Sequence, residues 1–267
     1  MKAIRVGVSL LVSGLLTFGA MTAFAQDEAQ TLTIEKNAAG FVAPLEAPEG
    51  PVTVTIENNA DAPTAPLFAR LNADVTIEQL AEAFASDPFS ALELVALYGG
   101  IEVAPNSSAS LTLAFAPGTH VLIDFAAEVP AVPSFTVADG EAAGVEPEAN
   151  VEVNLLDFAF SFPLQLEAGE QTWLIENEGT QWHEFAIAKI DDAMSVADLR
   201  TFINGITSGE AEPEGDLFFF APMTPGERAW LNMDLEPGTY VIGCFLPDFH
   251  SGHAHAELGM VQIFNVN

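Results

Sequence analysis

Tyr240-Val-Ile-Gly-Cys244 closes a strand-like run. Behind it, Phe245-Leu-Pro-Asp-Phe-His250-Ser-Gly-His253-Ala-His255-Ala-Glu-Leu-Gly-Met260 leads into a second apolar run, Val261-Gln-Ile-Phe-Asn-Val266. Cys244 is the only cysteine among 267 residues. His250, His253, His255 and Met260 follow it within sixteen residues, and His183 lies about sixty residues upstream. A soft thiolate, imidazole nitrogens and a thioether make up the donor set that suits copper in electron transfer.

The residues around this stretch recur earlier in the chain. Glu236-Pro-Gly-Thr239, just ahead of Tyr240, repeats Ala116-Pro-Gly-Thr119. Ile175-Glu-Asn177 repeats Ile56-Glu-Asn58, and at the same offset Ser195-Val-Ala-Asp-Leu199 repeats Thr76-Ile-Glu-Gln-Leu80. A near-constant offset over this length marks an internal duplication. The joint falls around Asp139-Gly-Glu-Ala-Ala-Gly-Val-Glu-Pro-Glu-Ala149.

Within each copy the apolar residues alternate with polar ones. Val52, Val54 and Ile56 do so, as do Val151, Val153 and Leu155, while Leu111, Leu113 and Phe115 match Leu231, Met233 and Leu235. Period two predicts half-buried strands packed face to face. Thr76-x-x-Gln79 and Ser195-x-x-Asp198 each predict a helix start, with side chains that cap free backbone N–H groups. Val196, Leu199 and Ile203 give the second helix an apolar stripe, and Pro-Gly-Thr supplies a tight turn before the last hairpin. The expected fold is all-β: two tandem antiparallel β-sandwiches over residues 26–140 and 147–267, each with one short inserted helix.

The N-terminus has a basic start (Lys2, Arg5), an apolar stretch from Val6 to Met21 and the small-x-small ending Ala23-Phe24-Ala25. That pattern predicts a signal peptide over residues 1–25, cleaved after Ala25, and an extracytoplasmic destination, periplasmic or secreted. No later apolar run approaches the ~20 residues of a transmembrane helix. A lone cysteine in an oxidising compartment is buried, reactive or metal-bound. The chain carries a formal charge of −31, and loss of Lys2 and Arg5 with the signal leaves five basic against 38 acidic residues, or −33. Nucleic acid and anionic membranes are disfavoured partners. The acidity suits a cationic redox partner or simple solubility, and leaves the oligomeric state open.

With these residues in this order, the second copy resembles a cupredoxin, the blue-copper Greek-key sandwich. In that family one histidine comes from a loop after an early strand, and a cysteine, a second histidine and a methionine come from the loop between the last two strands. The resemblance implies one Cu(I)/Cu(II) ion per chain on His183, Cys244, His255 and Met260, Greek-key connections in both copies, and a redox partner protein. His183 lies in Gln181-Trp-His-Glu-Phe185, and His255-Ala-Glu-Leu-Gly-Met260 is similar to the family's His-x-x-x-Gly-Met ending. A backbone N–H to the Cys244 sulfur and an apolar cover from Trp182, Phe245 or Phe249 would tune such a centre.

The spacing departs from the family pattern: ten residues separate Cys244 from His255, where cupredoxins place two to four. The insertion, with its Pro-Asp and Ser-Gly, is expected to loop out and return. His250 is nearer the usual spacing but has no methionine four or five residues on; His250 and His253 are then auxiliary donors or exposed side chains.

The first copy carries Thr64 where the second has His183 and Asp124 where it has Cys244, and its segment 125–135 holds no histidine or methionine. It is expected to be a degenerate domain without metal ligands, with His120, aligned to Tyr240, as a structural residue. Two joined cupredoxin-like domains also resemble multicopper oxidases and copper nitrite reductases. Those enzymes need a second copper centre rich in His-x-His elements, and here only His253-Ala-His255 has that form. A dinuclear centre would need a second thiolate. The expectation is a non-catalytic, exported electron carrier; the alternative is a metal-free interaction module on the same sandwich.

Overall fold

The computed structural model describes residues 29–124, 133–140, 142, 144–191, 194, 196–208 and 217–267. The expected signal segment lies outside them, as do residues 125–132 and the expected cap Ser195. The first half contributes β1 (Gln30–Asn37), β2 (Gly40–Val42), β3 (Glu46–Ala47), β4 (Gly50–Asn58), β5 (Leu67–Leu71), β6 (Val95–Gly99), β7 (Ser107–Phe115), β8 (Gly118–Ile123) and β9 (Ser134–Val137). The second contributes β10 (Val151–Leu156), β11 (Ala159–Ser161), β12 (Gln165–Leu166), β13 (Gly169–Asn177), β14 (His183–Ile190), β15 (Leu217–Met223), β16 (Arg228–Leu235), β17 (Gly238–Gly243) and β18 (Val261–Val266). Helices α1 (Ile77–Ser86) and α2 (Pro88–Ala91) lie between β5 and β6, and α3 (Val196–Ser208) between β14 and β15.

The alternation read from the sequence becomes the core of a β-sandwich. On β4, Val52, Val54 and Ile56 are fully buried, each contributing roughly 1.5–3 kcal/mol relative to an exposed position. The intervening Thr53 and Thr55 bond across to Thr112 (2.9 Å) and Ser110 (3.0 Å) on β7, as facing polar pairs do in antiparallel strands. Residues 151, 153 and 155 repeat the pattern on β10.

Among the described residues the strands form two sheets, ordered β11-β10-β13-β16-β7-β4-β1-β2 and β12-β18-β17-β14-β15-β6-β5-β8-β9-β3. Read by the duplication, each order is a palindrome, so the two copies are related by an approximate twofold axis and join edge to edge. The joins are β16 to β7, with Ala229, Trp230 and Leu231 opposite Leu113, Thr112 and Leu111, and β15 to β6, with Met223 opposite Tyr98. One apolar cluster runs through both halves, from Val54 and Phe68 to Trp173 and Ile242.

Two details differ from the expectation. The sheets are mixed, because β1 runs parallel to β4 and β10 to β13. The chain leaves β1, visits the other sheet as β3 and returns as β4 in its original direction, which a direct hairpin cannot do. The first half also carries a second, one-turn helix: Asp87 caps Phe89 N–H at 3.1 Å and Pro88 opens α2. The capping box of α1 forms as read, with Thr76 Oγ1 accepting from Gln79 N–H and Gln79 Oε1 accepting from Thr76 N–H. No helix among the described residues is long and apolar enough to cross a membrane.

Candidate metal centre

The repeated Ile-Glu-Asn motif fixes where the first donor strand begins. Asn177 is buried, donates from Nδ2 to the carbonyls of Gln181 (2.9 Å) and Met223 (2.7 Å), and accepts from Gly179 N–H (3.0 Å). Asn58 ties the equivalent turn through Ala62, Val103 and Ala60. His183 then opens β14 opposite Met223, as Thr64 stands opposite Val103 in the first copy.

The ten-residue insertion after Cys244 folds into a finger pinned across its base. Pro247 pairs with Ala254, and Asp248 N–H donates to the His253 carbonyl at 2.8 Å. At the tip, Asp248 Oδ2 accepts from the N–H and Oγ of Ser251 at 2.8 and 2.7 Å. At the base, His255 N–H donates to the Leu246 carbonyl (2.8 Å) and Ala256 N–H to the Cys244 carbonyl (2.7 Å). The chain therefore returns to Cys244 as if the finger were absent, and the unusual spacing costs the site nothing in geometry. His250 and His253 do not join the donors: their side chains are 90% and 64% exposed, beside Asp248 and Glu257 respectively. The finger carries both rings outward, which is the exposed one of the two readings open from sequence.

His183, Cys244 and His255 converge, all buried, with one ligand atom from each lying within 4.8 Å of the others. Cys244 Sγ is 3.4 Å from His255 Nδ1, and the two imidazole centroids are 5.0 Å apart. Metal–nitrogen and metal–sulfur bonds of about 2.0 and 2.3 Å in a trigonal plane would space such donors by roughly 3.5–3.7 Å, so one ion fits.

His183 Nε2 is held by Asp157 Oδ1 at 3.1 Å, while its Nδ1 is buried without a hydrogen-bond partner among the described residues. An orphaned ring nitrogen whose opposite nitrogen is fixed by a carboxylate is what a metal-ligating histidine presents. Gly179 makes the approach feasible, since a Cβ there would lie 2.6 Å from both His183 Nε2 and Asp157 Oδ1. Met260 is fully buried in the same apolar cluster as Cys244, and its carbonyl accepts from Cys244 N–H at 3.1 Å.

The two imidazoles suit ligation, whereas the thiol must lose its proton. Burial holds both rings below the ordinary imidazole value, against the pull of Asp157 on His183 and reinforced by His183 at His255. Burial pushes the Cys244 thiol up to about 12, helped by the Glu184 carboxylate and opposed by the N–H groups of Glu184 and Leu246, which point at the sulfur. A metal ion held there would displace the thiol proton, which would make its affinity depend on pH.

Several neighbours were invisible in the sequence. Asp157 and Phe158 form the β10–β11 turn; Asp157 also accepts from Thr180 N–H (2.9 Å), Thr180 Oγ1 (2.6 Å) and Gln181 N–H (3.3 Å). The Phe158 ring stands edge-on to His255 at 5.3 Å. Of the expected covers, Phe245 faces away toward α3. Trp182 and Phe249 pack on each other at 5.2 Å, joined by Phe89 of α2. In the first half the corresponding corner holds a Lys36–Asp124 ion pair at 2.7 Å.

No protein-family model and no curated protein matches the chain. Among solved structures, reduced auracyanin from the photosynthetic bacterium Roseiflexus castenholzii is 18% identical, covering 43% of this chain and 94% of its own, with a TM-score of 0.32. A multicopper oxidase is 12% identical over 90% of this chain and 88% of its own, at 0.28. The copper-containing nitrite reductase of Thermus scotoductus SA-01 is 12% identical over 90% and 68%, at 0.26. Scores this low add nothing to the local geometry. It is the β-sandwich and the His183, Cys244, His255 cluster that match the arrangement implied by the cupredoxin resemblance.

Proposed function

We propose that this chain is an exported copper protein that holds one Cu(I)/Cu(II) ion on His183, Cys244 and His255, with Met260 as axial donor, and passes single electrons to a partner protein. The supporting observation is the convergence of three buried donors, one of them the only thiol, within 4.8 Å. When bound, copper supplies a one-electron couple that a thiolate, two imidazoles and a weak thioether serve in both oxidation states. The chain does the rest. Asp157 fixes the His183 ring and its tautomer, the Glu184 and Leu246 N–H groups withdraw charge from the sulfur, and the pinned finger keeps His255 in register with Cys244.

A carrier is the reading that the donor types suit, since a thiolate, two imidazoles and a thioether make up the set for one-electron transfer. The N-terminal pattern supports export, and the charge of −31 suits a cationic partner. Native mass spectrometry of the copper-reconstituted mature chain tests the reading. One copper per chain is expected, and Cys244→Ser should lose it with the far-ultraviolet circular dichroism unchanged. Equal copper retention in both proteins would refute the site.

A further inference from the structure

The sheet face turned away from the donor cluster carries a second feature. Between α3 and strands β14, β15 and β17 lies a cavity of about 280 Å³. Ala186 and Val241 on the sheet, Ile203 and Ile206 on the helix, and Phe219 and Phe245 at the sides form its apolar walls. Side chains alternate across a strand, so Glu184 points into this cavity while His183 and Phe185 point into the sandwich. Among the described lining residues Glu184 alone has a polar side chain. It is 8% exposed, takes one backbone N–H from Phe245, and has no cationic side chain acting on it.

A buried carboxylate is costly unless a cation or several donors meet it, and beyond the single Phe245 N–H this one faces the apolar cavity. Small side chains on the sheet, Ala186, Ala188 and Gly243, leave that space open beside it.

We propose that this cavity binds a small organic amine, its ammonium on Glu184 and its apolar body against α3. An apolar cavity of about 150 Å³ accommodates benzene, so 280 Å³ takes one ring with a short aminoalkyl arm. The strongly acidic chain concentrates cations near its surface. The cavity lies on the opposite face of β14 from the donor cluster, although Glu184 itself acts on the Cys244 thiol.

The probe is 2-phenylethylamine, titrated calorimetrically into the full mature protein and followed through the Ile203 and Ile206 methyl resonances. The amine should bind and shift both residues. Its neutral analogue 2-phenylethanol should bind roughly tenfold or more weakly, as loss of a charge-assisted hydrogen bond dictates, and 3-phenylpropionate should not bind. Glu184→Gln should weaken the amine by a similar factor. Ile206→Trp, which fills the cavity from the helix and leaves Glu184 in place, should abolish binding, so the proposal stays testable if the glutamate variant fails to fold. No binding, equal affinity for amine and alcohol, or binding that survives Ile206→Trp would overturn it.

Discussion

Removing Asp157 isolates the contribution of the turn that the sequence concealed. In Asp157→Ala, the buried His183 ring loses its 3.1 Å bond, and the N–H groups of Thr180 and Gln181 lose theirs. An unsatisfied buried donor costs about 1–3 kcal/mol. The ring escapes that cost by rotating or changing tautomer, and either movement takes the Nδ1 lone pair off the cluster. Loss of such a partner typically lowers metal affinity by about 10–100-fold, equivalent to about 1.4–2.8 kcal/mol. Competition with a chelator, monitored by copper release, measures this directly. Asp157→Asn, which keeps an oxygen toward His183, should lose much less. Affinity in Asp157→Ala within twofold of the parent chain would show that other contacts orient His183, and the positioning role of Asp157 would be wrong.

Three further outcomes follow from the first half and the joint. His120 is fully buried, bonded through Nε2 to the Ala116 carbonyl at 2.8 Å, and burial holds its pKa down to about 4 from 6.5. The folded state then binds fewer protons than the unfolded one between those values. Stability falls as pH drops from about 6.5 to 4, by about 3 kcal/mol at most. His120→Tyr, which copies Tyr240 and its bond to the Glu236 carbonyl, should remove that component in urea melts; an unchanged pH profile would contradict it. Gly99 sits at φ 88°, where a Cβ would come 2.2 Å from the Phe220 ring across the joint. Gly99→Ala should therefore destabilise by at least about 1–3 kcal/mol, whereas Gly140→Ala, with open space around it, should stay within about 0.5 kcal/mol; equal effects in thermal melts would refute the joint. Lys36→Met, which removes the 2.7 Å ion pair to the nearly buried Asp124 carboxylate, should cost about 1–3 kcal/mol, and the double variant with Asp124→Leu should recover most of it. A double variant no more stable than Lys36→Met would show that the pair matters for more than charge compensation.

Much of the architecture was legible because it rests on side-chain type and spacing. Period two marked β4, β7, β10 and β16; the Thr76–Gln79 pair marked α1; and the recurring Ile-Glu-Asn marked the two tied turns at Asn58 and Asn177. The residues of the cluster were legible too, since Cys244 and His255 keep a recognisable order even across an insertion.

What stayed hidden is carried by the backbone or by distance. The joins of β16 to β7 and β15 to β6 are main-chain hydrogen bonds with no residue signature, so the continuity of the two sheets across both copies could not be read. The parallel β1–β4 pairing depends on a crossover whose two-residue strand β3 is too short to signal itself. The finger at 247–254 closes through carbonyls and N–H groups, and only its geometry shows that His250 and His253 face out. Asp157 lies 26 residues from His183, in a turn that reads like any other exposed Asp. The first copy shows what the fold does at the same corner without the clustered donors: Thr64 stands for His183, and Asp124, in place of Cys244, takes the ammonium of Lys36.

The central measurement is a titration of the reduced mature protein with Cu(II), followed by visible absorption and electron paramagnetic resonance. An intense thiolate-to-copper band that saturates at one equivalent, with a narrow copper hyperfine splitting and loss of both in Cys244→Ser, is the predicted result. A colourless protein with the broad splitting of nitrogen- and oxygen-bound copper, abolished by replacing the exposed His250 and His253 and indifferent to Cys244, would contradict it.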